Sequence, residues 1–273
     1  MFKLFFAILI LTVSLNATVL QDKIENLMGS SAYKFHKNLL NIIFKDESKF
    51  LLANNNLNYL QILKELKQNG LLILKLQDPK EIIVEFQTNK DPIKALKILN
   101  DTLKSIGYYY YFTNSVNYDG EGNLNWQIRL KTEFIIDPFV LTNELLKKEC
   151  KILDINREKN DKWVYKIDTN FANITESIFI DTNEIVKLQK PLKPYFIRIN
   201  DAKVLKIMST VLNHWYPYVV FYDEHLDVLK IIKKDAVFKR VSITIPEKTK
   251  YIKITDLYTL VNIKRGLSVI IKE

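Results

Sequence analysis

The sequence predicts an α+β protein in which repeated helix–hairpin units, in a ferredoxin-like order, are followed by a C-terminal β-sandwich. Three observations lead there. A helix followed by two strands recurs three times between residues 57 and 170. Beyond that point helical periodicity stops, and short β-branched and aromatic runs continue to the C-terminus. The charge balance also changes: residues 18–183 carry 22 Lys/Arg against 22 Asp/Glu, while residues 184–273 carry 17 against 9. The implied segments are a signal peptide (1–17), a helical segment (18–56), the α/β repeat region (57–170), connecting strands and a linker (171–194) and the sandwich (195–273).

The opening MFKLFFAILILTVSLNA places Lys3 before an apolar run of twelve residues, Leu4 to Leu15, and ends on the small residue Ala17. About 20 apolar residues are needed to span a bilayer, so this run has the length of a secretory h-region. Cleavage after Ala17 is expected, and no later segment has the length and apolarity to span. The expected product is exported, periplasmic, and free of a transmembrane segment once the signal is removed. Residues 20–53 follow with apolar side chains at helical spacing, Phe35, Leu39, Ile42 and Ile43 among them, until Asn54, Asn55 and Asn56 break the pattern.

The first repeat is a helix near Leu57–Gln68, closed by Gly70, then strands over 71–76 and 81–87 joined at Asp78-Pro79. The second is a helix from Pro92 to Ser105, closed by Gly107, then YYYYFTNSVNY, a turn at Asp119-Gly120 and LNWQIRLKTEF over 124–134. The third has a helix from Pro138 to Lys148 and strands over 150–155 and 162–167. Asp91-Pro92 and Asp137-Pro138 are helix-start signals, with Asp accepting orphan amide protons and Pro tolerated in the first turn. From Leu124 to Phe134 apolar and polar residues alternate, as on a sheet buried on one side and wet on the other. Whether the first hairpin joins the same sheet stays open. After PLKP (191–194), seven runs from YFIRI (195–199) to LSVII (267–271) fit a compact sandwich.

Chemistry-bearing motifs are sparse. One cysteine and three histidines exclude a disulfide scaffold and leave little for a structural zinc site. No cofactor is expected. Asp223, Glu224 and His225, with His214, are the right atoms for an acid–base pair, but their setting between apolar strands fits a hairpin turn. Asp119 to Asn123 has the look of a calcium loop without its spacing or closing glutamate. His36 stands alone in a helix, and Cys150 sits in an apolar stretch as a small buried hydrophobe.

Aromatic clusters carry more weight. Tyr108 to Tyr111 with Phe112 puts rings on both faces of one expected strand, so Tyr109 and Tyr111 are candidates for core or for a contact surface. Trp215, Tyr216 and Tyr218 flank Pro217 beside His214, a loop platform or the start of a core strand. Lys264 and Arg265 form a basic turn that adds charge to the same edge. The net +8 of residues 184–273 on an exported chain points away from nucleic acid, toward an acidic envelope protein or an anionic envelope polymer.

The Lys/Ile/Asn/Leu-rich composition, the signal ending SLNA, and the stretches LKSIGYYYYFT, KPLKPYFIRI and YIKITDLYTLVNIKRGLSVIIK resemble a group of periplasmic proteins of Campylobacter and related bacteria. That group brings no catalytic or ligand motif, so the resemblance assigns no residue role. It implies a periplasmic accessory, of the kind found around the flagellar motor. The expected function is therefore non-catalytic binding or scaffolding in an envelope assembly. The alternatives are carbohydrate or cell-wall polymer binding by the sandwich, and an envelope hydrolase using Asp223, Glu224 and a histidine.

Overall fold

A computed structural model describes residues 19–273, so the expected signal peptide (1–17) and the expected cleavage after Ala17 lie outside the described residues. The chain is a mixed α+β fold with three sheets, divided into compact units that meet at Asn173/Ile174.

The first unit opens with helix α1 (19–28), α2 (Ser30–Phe35), α3 (Lys37–Ile43) and a 3-10 turn (Glu47–Phe50). Gly29, at φ 85°, and His36 divide the helical segment expected over residues 20–53. The interruption rotates the stripe. Phe35 is 85% exposed and Leu39 and Ile42 are also exposed, while Leu20, Ile24, Leu27, Leu40 and Phe50 are buried. His36 is half-buried against the edge of the Phe35 ring, at 4.8 Å.

Next come α4 (Tyr59–Gln68), β1 (Lys75–Thr88), α5 (Pro92–Ser105), β2 (Phe112–Tyr118), β3 (Leu124–Phe134), α6 (Pro138–Leu146), β4 (Lys151–Lys159) and β5 (Lys162–Asp168). The first repeat has no hairpin. Asp78-Pro79 lies inside the single strand β1, where the register against β3 slips between Lys75 and Lys80. Proline cannot donate to the ladder, and a bulge is where a strand tolerates it. The two Asp-Pro starts also differ. Asp137 caps α6 by accepting from the amides of Phe139 and Val140, at 3.0 and 3.2 Å. Asp91 is left-handed, at φ 50°, and its side chain makes no cap hydrogen bond.

The sheet order is β2-β3-β1-β5-β4. β3 runs antiparallel to both β1 and β2, which makes β1–α5–β2 a split βαβ unit. The second half departs from the ferredoxin-like order, because β5 pairs parallel with β1 and displaces β4 to the edge. Phe86, Trp126 and Tyr165 form one cross-strand row on the core face, with ring centroids 5.6 and 5.8 Å from Phe86. The burial alternation read from Leu124 onward holds through Leu130 and then lapses, since Phe134 is exposed.

α1 covers the β4 edge. Asn26 exchanges two hydrogen bonds with the Arg157 backbone, donating at 3.2 Å and accepting at 2.9 Å, as a neighbouring strand would. The Arg157 guanidinium donates to the carbonyls of Leu27 and Met28, capping orphan groups at the helix end. Lys23 Nζ lies 2.7 Å from Asp154, whose carboxylate also accepts from the Tyr59 hydroxyl.

The second unit contains β6 (Ile178–Phe179), β7 (Ile185–Leu188), β8 (Tyr195–Arg198), β9 (Val204–Ser209), β10 (Pro217–Tyr222), β11 (Val228–Lys233), β12 (Arg240–Thr244), β13 (Tyr251–Asp256) and β14 (Leu267–Lys272). Its sheets are β11-β10-β13-β8-β6 and β12-β9-β14-β7. Both line one core, with Ile197, Phe221 and Ile254 from the first sheet against Leu205, Ile207 and Val269 from the second. The segment 171–194 is more than a connector, since β6 and β7 extend the two sheets. A 3-10 turn, Leu260–Ile263, precedes β14. Among the described residues, no helix is long and apolar enough to cross a membrane.

Candidate functional site

At one end of the second unit, three connections are tied together by polar side chains. Asp256, itself buried, accepts from the backbone amides of Tyr216, Tyr258 and Thr259 and from the Asn262 side chain, at 2.8 to 3.0 Å. Asn213 donates to the Gly266 carbonyl at 2.8 Å and accepts from the Arg265 amide at 3.2 Å. Lys239 Nζ donates to the carbonyls of Val211 and Asn213, at 2.7 and 2.6 Å. The loops 210–216, 234–239 and 257–266 thus hold one another.

Held this way, the loops project apolar side chains outward. Val211 is 85% exposed, Leu212 66% and Val261 65%, and Val237 and Tyr258 are exposed beside them. Lys264 and Arg265 are exposed on the same connection as Val261. The exposed apolar side chains share these connections with the cations Lys264 and Arg265 and with Asp235, which accepts from the Tyr258 hydroxyl, an arrangement suited to contact through apolar and charged groups together.

Of the six sequence candidates in this unit, five lie on these connections, in different roles, and Tyr218 does not. His214 is exposed and its amide donates to the Asn262 carbonyl at 3.0 Å. Tyr216 is half-buried, edge-on to the Tyr258 ring at 5.0 Å. Lys264 and Arg265 supply exposed positive charge. Trp215 is 0% exposed and donates from Nε1 to the Thr255 carbonyl at 2.9 Å, so it is a core residue and offers no stacking platform. Tyr218 lies within β10, half-buried on the strand face opposite the core. Sequence reasoning missed Asp256, Asn213 and Lys239. Asp256 ends β13 and Asn213 and Lys239 lie in the connections, and only the geometry distinguishes each from a solvated polar residue.

The other motifs resolve locally. Asp223 accepts from the amides of His225 and Asp227, both at 2.9 Å, in the turn between β10 and β11. His214 precedes β10 and Asp223 follows it, so the six-residue strand separates them by about 20 Å. The Asp119 carboxylate is taken up by the amides of Glu121 and Asn123 and the Asn123 side chain. Burial pushes the Cys150 thiol up to about 12, away from nucleophilic use. Among the described residues no three His, Cys, Asp or Glu side chains gather as a metal site.

In the first unit, the strand begins at Phe112, so Tyr108 to Tyr111 precede it. Tyr110 is 93% exposed and Tyr109 is exposed beside it. Tyr111 turns inward, its ring edge-on to Trp126 at 5.8 Å and its hydroxyl donating to Asn100. β2 is a sheet edge, and Phe112, under the Arg129 guanidinium at 5.4 Å, is exposed with Val116 and Tyr118.

The sheet face away from the aromatic row is polar. Register places Ser115, Gln127, Glu85, Val164 and Asn156 in one cross-strand row, and Asn117, Asn125, Gln87, Lys166 and Asp154 in the next. Glu85 is their hub. It accepts from Gln87 at 2.7 Å, Asn125 at 2.8 Å and Gln127 at 3.1 Å, with Lys162 Nζ at 3.3 Å. Burial favours its neutral form, but these donors and the Lys162 charge outweigh that and hold Glu85 below its ordinary 4.5.

A depressed carboxylate stabilises the fold above its unfolded value and loses that contribution as pH falls through the folded one. The native chain is therefore expected to lose more stability below about pH 4.5 than Glu85→Gln does. Thermal melts from pH 7 to 3 check this, and parallel curves would remove Glu85 from the acid response.

Compared with known proteins, the chain matches no family model and no curated sequence.

Proposed function

We propose that this is an exported, periplasmic, non-catalytic binding protein that works in an envelope assembly, with the flagellar motor as the assembly the sequence resemblance favours. The partner is an acidic envelope protein or an anionic envelope polymer, met by the loop end of the second unit. The observation that carries this reading is the cluster of Val211, Leu212 and Val261 set beside Lys264 and Arg265 on loops fastened to one another. The excess of 17 Lys/Arg over 9 Asp/Glu in residues 184–273 supports it, because a field of one sign speeds encounter with a surface of the other. Two sheets around one core support describing this unit as a β-sandwich, whose free loops are its natural contact elements.

The test is capture from an envelope extract at about 0.05 and 0.3 M salt, a range over which the screening length falls below ~8 Å. The native chain is expected to retain a discrete partner at low salt and lose most of it at high salt. The double reversal Lys264→Glu/Arg265→Glu is expected to slow association by about tenfold. Val211→Ser/Leu212→Ser is expected to speed dissociation with little change in melting temperature. Capture that ignores salt and survives both double variants would overturn the assignment to this surface.

A further inference from the structure

We propose that the polar face of the first sheet carries a saccharide-binding site, and that it takes a neutral sugar bearing an N-acyl group. This goes beyond the protein contact assigned to the second unit and does not depend on it. The site is a cleft of about 440 Å³, within the ~300–1,000 Å³ usual for small-molecule sites. Gln87, Asn117, Asn125 and Lys166, consecutive members of one cross-strand row, line it, together with Tyr118 and Leu153.

The argument turns on Glu85, which lies in the row beneath. An ionised carboxylate only accepts hydrogen bonds, so it takes the NH2 end of each neighbouring amide and fixes which way that amide points. Gln87 and Asn125 both give Glu85 their nitrogen. Their carbonyl oxygens are left with no partner among the described residues. The cleft therefore presents two oriented acceptors. Asn117, whose side chain bonds no other described residue, and the exposed Lys166 ammonium supply donors.

Tyr118 and Leu153, both exposed, add apolar surface to the same cleft. Asp119 also lines the cleft, but its carboxylate accepts from the amides of Glu121 and Asn123 and from the Asn123 side chain, which ties it to its own turn. Fixed acceptors, nearby donors and an apolar patch complement a ligand whose hydroxyl and amide N–H groups donate, whose carbonyl accepts, and whose ring carbons and acyl methyl need covering. An N-acylated sugar has all of these. An acidic sugar would gain only Lys166, and nothing in the cleft asks for a cation.

The experiment is an amide-resolved NMR titration of the full chain with a short chitin oligomer, run beside a maltose oligomer and N-acetyl-alanine amide. The chitin oligomer is expected to shift the signals of Gln87, Asn117, Tyr118, Asn125 and Lys166, and the maltose oligomer to shift them less. Gln87→Ala and Asn125→Ala should each weaken binding by about three- to tenfold, the size of one lost hydrogen bond. Glu85 is a positioning residue. Glu85→Gln should weaken binding similarly and also move the side-chain NH2 signals of Gln87 and Asn125 in the free protein toward those of solvent-exposed amides, as loss of their common acceptor requires.

Should a sheet variant fail to fold, Asn117→Ala carries the test, since its side chain holds nothing else. No shift at these positions with the chitin oligomer, a response to the capped alanine alone, or full affinity in Asn117→Ala and Gln87→Ala would overturn the site.

Discussion

Gly266→Ala is expected to destabilise the second unit by about 2–5 kcal/mol, combining a left-handed backbone penalty with an overpacking one. Gly266 has φ +79°, and a Cβ built there would lie 2.1 Å from the Leu188 carbonyl oxygen. The obstacle is backbone, so no rotamer change relieves it. Relief requires β14 to move away from β7, and the pair Leu267↔Leu188 sits immediately next to the clash. The Gly266 carbonyl also accepts from Asn213, so the same movement loosens the loop end. Gly107→Ala is the control. Its φ is +97° and nothing lies within 4 Å of the added methyl, so only the backbone penalty of about 1–2 kcal/mol applies. Chemical denaturation of the two variants checks the contrast, and equal losses would show that the close approach to Leu188 does not matter.

Trp215→Ala should cost about 3–5 kcal/mol, as for other large aromatic residues cut back in a core. At about 4–8 °C per kcal/mol for a unit of this size, melting should fall by more than roughly 12 °C. The indole lies in the core lined by both sheets, and removing it also removes the hydrogen bond from Nε1 to the Thr255 carbonyl. Trp215→Phe keeps most of the packing and should recover more than half of the loss. A Trp215→Ala variant that melts like the native chain would return the ring to the surface and restore it as a binding anchor.

Much of the architecture was legible where hydrophobic period and turn chemistry agree. The seven strands from residue 195 onward are β8 to β14, each bounded by charged or turn residues. Helix α5 and the alternating strand β3 are equally plain, because one packing partner suffices to explain each pattern. Legibility failed where a tertiary contact chose between local options. Asp78-Pro79 has the chemistry of a turn, yet β1 pairs with β3 both before it, at Lys75, and after it, at Lys80, so the strand runs through it with a shift of register. The stripe of Phe35, Leu39 and Ile42 is periodic but unpartnered, because α1 rather than α2 docks against β4. At the loop end of the second unit, the sequence found the exposed charges and missed both the exposed Val211, Leu212 and Val261 and the side chains that hold the loops. Lys264 and Arg265 announce themselves by charge. Asp256 and Glu85 look like any other carboxylate until several donors are seen to converge on each.

The clasp between α1 and β4 also bears on the order of folding. Asn26 and Arg157 are 131 residues apart in the chain, and each hydrogen bond between them closes a loop of that length. Closure of so long a loop carries a larger entropic cost than pairing β4 with β5, so it is expected to follow the local hairpin in time. Until it forms, the outer rim of β4 is an open ladder of amides and carbonyls. During that interval the nascent first unit has two templating edges instead of one, β2 and β4. A helix from another copy of the chain, carrying the same asparagine and the same two carbonyls, fits the vacant edge as well as the chain's own helix does. The native clasp prevails because it is intramolecular, and that advantage shrinks as the concentration of incompletely folded chains rises.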